Sequence, residues 1–181
     1  YNLIKFIEKE SLGSYIIDLV DLRFNQIEYF TDDVYLHNLA HTSNPKNLLI
    51  NNNKLKNASL IFKESDFSHN QLVEVPVKLF PNIFVQYLNL NYNLIRFIKS
   101  NSFDSKIKYM KFLYASQNLI ESIEIDSFKY FDNLLELDLS HNRLKYLNRH
   151  IFTFVTNLIH LNLSSNLIES IYIEHFRNIK S

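Results

Sequence analysis

Two stretches of the chain repeat one pattern: LLELDLSHNRLKYL at residues 134–147 and LIHLNLSSNLIESI at residues 158–171. In each stretch an apolar-any-apolar triplet, such as Leu137-Asp138-Leu139, gives the period-two signature of a short, half-buried β-strand. An asparagine, Asn142 or Asn166, follows the triplet by three positions, and the two asparagines are 24 residues apart. A fixed period of this length predicts a stack of similar supersecondary units.

The same frame extends further upstream, with apolar residues eight, five and three positions before the asparagine and two, five and ten positions after it. The tenth position is a phenylalanine, as at Phe128 and Phe152. Every slot is filled in the units of Asn93, Asn118, Asn142 and Asn166. The units of Asn25 and Asn70 also fit, although the second has Ser65 in an apolar slot.

One region departs from this spacing. Asn25 and Asn70 are 45 residues apart, nearly two units, yet only a partial match around Asn53 lies between them. We therefore expect residues 31–61 to form an irregular repeat or to carry an insertion. The whole of 1–181 is otherwise expected to form a single repeat domain.

The repeat dictates how the chain must fold. A three-residue strand cannot bury its apolar face alone, so units stack and share one continuous core. An asparagine side chain at the strand exit can satisfy buried backbone groups, each of which would cost about 1–3 kcal/mol if left unpaired. A phenylalanine late in each unit fills the wide side of the stack, so we expect a curved solenoid with a concave parallel sheet.

Composition excludes several functional classes. Nineteen basic and nineteen acidic residues give a formal net charge of zero, which removes the electrostatic argument for a nucleic-acid partner or an anionic membrane surface. The absence of cysteine excludes disulfides, thiolate metal sites and cysteine nucleophiles within these residues. A single glycine, Gly13, excludes a phosphate-binding loop, a dinucleotide-binding fingerprint and a nucleophile elbow. We expect neither catalysis nor a cofactor.

The repeated segments resemble leucine-rich repeats, and the likeness extends over most of the chain. The unit length and the late phenylalanine are similar to the typical animal extracellular class, which includes Toll-family receptors, chaoptin-like adhesion proteins and secreted arthropod immune proteins. The resemblance implies an α/β, right-handed solenoid whose convex side is irregular or short-helical. It also implies an extracellular or cell-surface recognition module for a protein ligand or co-receptor.

Departures from that family leave alternatives open. Cysteine-rich caps are absent and the sequence opens in mid-repeat, so we expect a piece of a longer solenoid, attached to a membrane only through other parts of the parent chain. The lack of cysteine also suits a cytoplasmic scaffold or enzyme inhibitor. The oligomeric state and the identity of the ligand are not determined by the sequence.

The positions that point out of the concave sheet form the candidate binding surface. Tyrosine offers a large, stiff contact area with a polar tip, and it is enriched in protein interfaces. We expect an aromatic cluster with an acidic rim, and the partner-binding candidates are Tyr87, Tyr92, Phe112, Tyr114, Asp66, Glu136 and Asp138. A composition with 11 tyrosines and 15 phenylalanines offers an alternative explanation of the cluster.

The histidines do not form a metal or catalytic site on this frame. His69 and His141 fall three strands apart, about 14 Å at the usual strand spacing, and His160 is five residues out of register with His141. No nucleophile accompanies Asp138 and His141. We expect no catalytic residues and no metal ligands.

Two sequons are candidates for N-glycosylation, Asn57-Ala58-Ser59 and Asn162-Leu163-Ser164. The second also fits the repeat template, so its match arises easily by chance. A glycan on Asn162 would cover part of the concave face.

Overall fold

The computed structural model describes residues 2–7, 18–30, 47–56, 63–76, 85–103 and 105–179. Short 3-10 helices occupy Ser105–Tyr109 and Ile173–His175. The strands in these ranges are β1 (Phe6–Ile7), β2 (Leu19–Asp21), β3 (Tyr29–Phe30), β4 (Asn47–Leu49), β5 (Glu64–Asp66), β6 (Tyr87–Asn89), β7 (Phe97–Ile98), β8 (Phe112–Tyr114), β9 (Ser122–Ile123), β10 (Glu136–Asp138) and β11 (His160–Asn162).

A seven-stranded parallel sheet, the main sheet, runs through the described part of the chain in the order β2-β4-β5-β6-β8-β10-β11. The strands follow one another in chain order and pair without stagger, so equivalent residues lie side by side. Two-residue strands form smaller parallel pairs, β1 with β3 and β7 with β9. The predicted solenoid with a parallel concave sheet is confirmed.

Each three-residue strand turns its middle residue into the core and its outer two away from it, because side chains alternate along a strand. Leu88, Leu113 and Leu137 are buried in this way. The outward residues form two rows across the main sheet. The first row is Leu19, Asn47, Glu64, Tyr87, Phe112, Glu136 and His160, and the second row is Asp21, Leu49, Asp66, Asn89, Tyr114, Asp138 and Asn162.

The region expected to be irregular contains one ordinary turn. β4 pairs with β2 on one side and β5 on the other, and Asn53 donates to the carbonyls of Leu22 and Ile50 at 2.9 and 3.0 Å. The strand and its asparagine are therefore regular, while the spacing to Asn25 and Asn70 is not. Residues 31–46 and 57–61 lie outside the described ranges.

The asparagines link each turn to its neighbour. The side-chain amide of Asn118 donates to Leu90 O at 2.8 Å in the preceding turn and to Ala115 O at 3.2 Å in its own turn. Its Oδ1 accepts the buried N–H of Ile95 at 3.1 Å. The same contacts recur at Asn53, Asn70, Asn93, Asn142 and Asn166. They form a ladder that satisfies backbone groups along the core.

The residue before each ladder asparagine adopts the left-handed conformation, with φ between 52° and 58° at Phe24, Asn52, His69, Tyr92, Gln117, His141 and Ser165. This region costs a non-glycine residue about 1–2 kcal/mol, because Cβ approaches a backbone oxygen. The sharp bend is required where the chain leaves the strand, and in this protein side-chain-bearing residues make it.

Aromatic rings fill the core in the part of each turn that follows the asparagine. Phe128 lies between Phe131 and Phe152, with ring centroids 5.3 and 6.3 Å away, and all three rings are fully buried. In the last described turn the equivalent Phe176 is 38 % exposed. The core therefore becomes more open at this end of the described stack.

Candidate protein-binding surface

The outward rows bring three of the predicted aromatic residues together. Tyr87 and Phe112 are register partners on β6 and β8, and Tyr114 follows two residues after Phe112. The rings of Tyr87 and Tyr114 lie edge to face, 5.6 Å apart at 62°. All three side chains are half-buried. We refer to Tyr87, Phe112 and Tyr114 as the aromatic platform.

Tyr92 lies apart from this platform, contrary to the expected four-residue cluster. It follows the end of β6 by three residues and has a φ of 56°, so it sits at the bend where the chain has already left the sheet. Its ring stacks on His69 from the preceding turn, with centroids 4.1 Å apart. The simple outward-pointing assumption fails here because the left-handed bend redirects the side chain.

Glu136 is anchored to the aromatic platform. The Tyr114 hydroxyl donates to Glu136 Oε2 at 2.7 Å across neighbouring strands. Burial and then this hydrogen bond raise the pKa of the Tyr114 phenol well above its usual range. Burial, followed by the charge of Asp66, also raises the pKa of Tyr87. Both phenols therefore stay protonated at neutral pH, and Tyr114 remains a donor.

Acidic and amide residues of the second row have a structural role that the sequence analysis missed. Asp66 Oδ1 accepts the N–H of Ser68 at 2.9 Å, and Asp138 Oδ1 accepts the N–H of Ser140 at 2.8 Å. Such a bond to the backbone two residues ahead is an Asx turn, which stabilises a bend. The sequence pattern that could have predicted these turns is an Asp or Asn that recurs two positions before a Ser, Asn or Arg. The positions of Asp66 and Asp138 thus have a structural explanation of their own.

Tyr114 interrupts that row. A tyrosine cannot accept the backbone N–H two residues ahead in this way, and the N–H of Ser116 instead donates to Asn91 Oδ1 of the preceding turn at 2.7 Å. The repeat template would place Asp or Asn at this position, as at Asn89 and Asp138. Tyr114 therefore departs from what the bend requires, and its ring lies on the outward face.

A shallow groove of about 240 Å³ adjoins the aromatic platform over β8, β10 and β11. Its lining contains two carboxylates and one imidazole, and it has no lysine or arginine. The lining residues are Tyr114, Glu136, Leu137, Asp138, His160, Leu161 and Asn162. The groove is thus lined by the ring of Tyr114 and by the carboxylates of Glu136 and Asp138.

The structure describes the surroundings of one of the two predicted glycosylation positions. Asn162 is exposed on β11, where its Oδ1 accepts the N–H of Ser164 at 3.1 Å as a further Asx turn. Asn57 lies outside the described residues. Neither placement tests whether a glycan is attached.

Among the described residues, no set of three or more histidine, aspartate or glutamate side chains is arranged to hold a metal ion. His175 is buried and has a structural role: Nδ1 accepts the N–H of Tyr172 at 2.9 Å, and Nε2 lies 3.1 Å from Leu147 O. No helix within the described ranges has the length and apolar character needed to span a membrane.

Comparison with known proteins agrees with this geometry. Residues 109–168, which hold β8, β10 and β11, match the model of the leucine-rich-repeat family. The chain has the leucine-rich-repeat fold, and this segment carries the sequence pattern of the family. Over 66 residues, 36 % of its length, it is 42 % identical to Tsukushi-A of Xenopus laevis, and this alignment covers 18 % of that relative. The leucine-rich-repeat chain thus corresponds to a small part of its curated relative.

Solved structures share the fold of this chain. One is a chain of the Toll–Spatzle complex, which is described as a molecular hub in Drosophila development and innate immunity. It superposes with a TM-score of 0.77 at 20 % sequence identity, over 95 % of this chain and 25 % of that one. Internalin C2 of Listeria monocytogenes superposes with a TM-score of 0.67 at 21 % identity, over 91 % and 68 % of the two chains. Leucine-rich-repeat proteins of this kind are typically interaction modules rather than enzymes.

Proposed function

We propose that this leucine-rich-repeat protein is a non-catalytic recognition module that binds a protein ligand or co-receptor on its concave face. The aromatic platform is the observation that carries the proposal. Three half-buried aromatic side chains on two neighbouring strands give stiff contact area at low conformational cost, which is typical of binding hot spots. The continuous main sheet supports treating the chain as one repeat domain.

We also propose that the module works outside the cell, as part of a receptor, an adhesion protein or a secreted immune protein. Two features support this location. The fold is shared with a chain of the Toll–Spatzle complex, a complex of two proteins whose solved structure is described as a glycosylated form. The sequon at Asn57 offers an acceptor for an N-linked glycan, and it is a better candidate than Asn162, where a glycan would cover part of the concave face and of the groove.

A binding screen with matched variants tests the concave face. The chain is fused to a multimerising tag, so that weak binding is detected, and is screened against extracellular domains from its own organism. The affinity of the untagged chain for any partner found is then measured. Alanine at Tyr87, Phe112 and Tyr114 together should weaken binding by about thirty-fold or more, as expected when hot-spot residues are truncated. The control is Tyr146→Ala, an aromatic residue that is 65 % exposed and outside the main sheet.

Two readouts decide the outcome. Circular dichroism of the triple variant must match that of the parent chain, so that lost binding reflects the surface and not unfolding. Unchanged affinity in the triple variant, or equal losses in the triple variant and Tyr146→Ala, would contradict binding through the aromatic platform.

The extracellular location has a separate test. The intact mass of the natively expressed protein is measured before and after enzymatic removal of N-linked glycans, with peptide coverage of Asn57 and Asn162. Loss of glycan mass from either peptide supports passage through the secretory pathway. Full coverage with no mass change argues against that location and favours a cytoplasmic scaffold or inhibitor.

A further inference from the structure

The groove beside the aromatic platform combines features that select for one kind of side chain. It has a tyrosine wall and two carboxylates, Glu136 and Asp138, and it lacks a lysine or arginine of its own. Both carboxylates are half-buried. The groove lining therefore contains two carboxylates and no lysine or arginine to pair with them, and its basic side chain is the imidazole of His160.

The carboxylates are fixed in place rather than free to swing away. Tyr114 holds Glu136 through Oε2, and the backbone of Ser140 holds Asp138 through Oδ1. Each of these bonds engages one oxygen of its carboxylate, so Oε1 and Oδ2 remain as acceptors for an incoming donor. Because the two residues are separated by one position on β10, their side chains lie on the same face of the strand.

Docking on the aromatic platform has an electrostatic consequence. Any partner that covers Tyr114 also removes water from Glu136, because the two side chains are hydrogen-bonded at 2.7 Å. Burying a carboxylate without a positive partner is unfavourable, so the groove discriminates against a neutral or acidic surface. A partner that binds must bring its own cation.

We propose that the groove receives an arginine side chain from the partner protein, with its guanidinium between Glu136 and Asp138 and its plane against the ring of Tyr114. This inference rests on the proposed recognition function and adds the chemistry of the partner. Arginine fits better than lysine because its planar fork donates up to five hydrogen bonds and also stacks on aromatic faces. The raised pKa of Tyr114 supports the geometry, because a neutral phenol keeps donating to Glu136.

A titration with short peptides tests the proposal directly. The probe is an acetylated, amidated Gly-Arg-Arg-Gly peptide, and the comparison peptides replace both arginines with citrulline, which is neutral and nearly isosteric, or with lysine. Binding is followed through the ring signals of ¹³C-labelled tyrosines, with Tyr87 and Tyr114 assigned by Tyr→Phe substitution. We expect saturable shifts at Tyr114 with the arginine peptide, smaller shifts with lysine and none with citrulline.

Charge-removing variants supply the second arm. Glu136→Gln should weaken binding of the arginine peptide by about ten-fold, the usual scale for losing a charged hydrogen-bond partner. Glu169→Gln is the matched control, since Glu169 is exposed beyond β11 and outside the groove. Its affinity should equal that of the parent chain.

The outcomes separate this inference from the proposed function. Equal shifts with the arginine and citrulline peptides would overturn the arginine assignment while leaving concave-face recognition intact. Absence of any saturable shift, or equal binding by Glu136→Gln and the parent chain, would overturn it as well. Loss of partner binding in the triple alanine variant, measured independently, would still support recognition through the platform.

Discussion

Replacing Asn118 with alanine removes one complete step of the asparagine ladder. The buried N–H of Ile95 donates to Asn118 Oδ1, and the substitution leaves this donor without an acceptor. The carbonyls of Leu90 and Ala115 each lose one bond but keep another, because Asn93 also donates to Leu90 O and Asn142 also donates to Ala115 O. The carbonyl of Ser116 also loses its bond from Asn118, at 3.2 Å, but keeps the N–H of Tyr92. The damage is therefore one orphaned donor and three weakened acceptors, which had shared the two hydrogens of one amide group.

These losses set the expected magnitude. An unpaired buried N–H costs about 1–3 kcal/mol, and each of the two lost amide hydrogens contributes about 0.5–1 kcal/mol. Asn118→Ala should lower the free energy of unfolding by about 2–5 kcal/mol. A domain with a total stability of about 5–15 kcal/mol would lose a large fraction of it.

Urea titration followed by far-ultraviolet circular dichroism measures this change, since the chain has no tryptophan to serve as a fluorescence probe. Two controls separate hydrogen bonding from volume. Asn118→Asp keeps the shape but replaces the donors with a charge facing carbonyls, so it should destabilise at neutral pH at least as much as alanine. Asn166→Ala removes equivalent bonds at a half-exposed position, where water substitutes, and should cost less.

Two results would contradict this explanation of the asparagine ladder. One is an Asn118→Asp variant that is as stable as the parent chain. The other is an equal loss of unfolding free energy in Asn118→Ala and Asn166→Ala. The first result would mean that the side chain acts through packing alone. The second would mean that burial of the ladder carries no extra energy.

Three further substitutions or titrations test other features of the fold. Gln117 has a φ of 56°, so the protein should tolerate Gln117→Asn at this position. Gln117→Val should lower its stability by about 1–2 kcal/mol, because a branched Cβ resists the left-handed conformation. Urea midpoints measure the stability of both variants. The pKa of Tyr114 is raised by burial and by Glu136, so its tyrosinate absorbance should appear at higher pH than that of exposed tyrosines, and Glu136→Gln should move it to lower pH. Because the raised pKa belongs to the folded state, the associated stability is present at neutral pH and is lost as pH rises through the alkaline range, which alkaline urea titrations check. Phe128→Ala should cost about 3–5 kcal/mol, whereas Phe176→Ala, at 38 % exposure, should cost distinctly less; thermal melts compare the pair.

The parts of the fold fixed by periodicity could be read from the sequence. Strand centres such as Leu88 and Leu137, and the asparagine that follows each strand, stand in a strict frame because every turn must present the same apolar set to its neighbours. The in-register pairing of Tyr87 with Phe112 follows from that frame. Three of the four aromatic residues in the predicted cluster, those of the aromatic platform, are therefore found where counting places them.

The parts that depend on local backbone geometry could not be predicted by counting. Tyr92 occupies the position equivalent to His69 and Gln117, so the frame places it beside His69, but the frame does not indicate that this position is a left-handed bend beyond the main sheet. Asp138 looked like part of an acidic rim, whereas its hydrogen bond to Ser140 also gives it a role in the bend. Asn53 was obscured because its turn differs in length from the others, although its hydrogen bonds are ordinary.

The ladder has a consequence for how such a molecule can change by duplication. Each ladder asparagine forms hydrogen bonds only with its own turn and the one before it. Adding or removing a whole turn therefore breaks the hydrogen bonds between two neighbouring turns and replaces them with equivalent ones. Gene-level gain or loss of turns upstream of β6 would thus be expected to preserve a folded stack. The same event between β6 and β10 would separate Tyr87 from Tyr114, or Tyr114 from Glu136, so the array is adjustable in length only outside these turns.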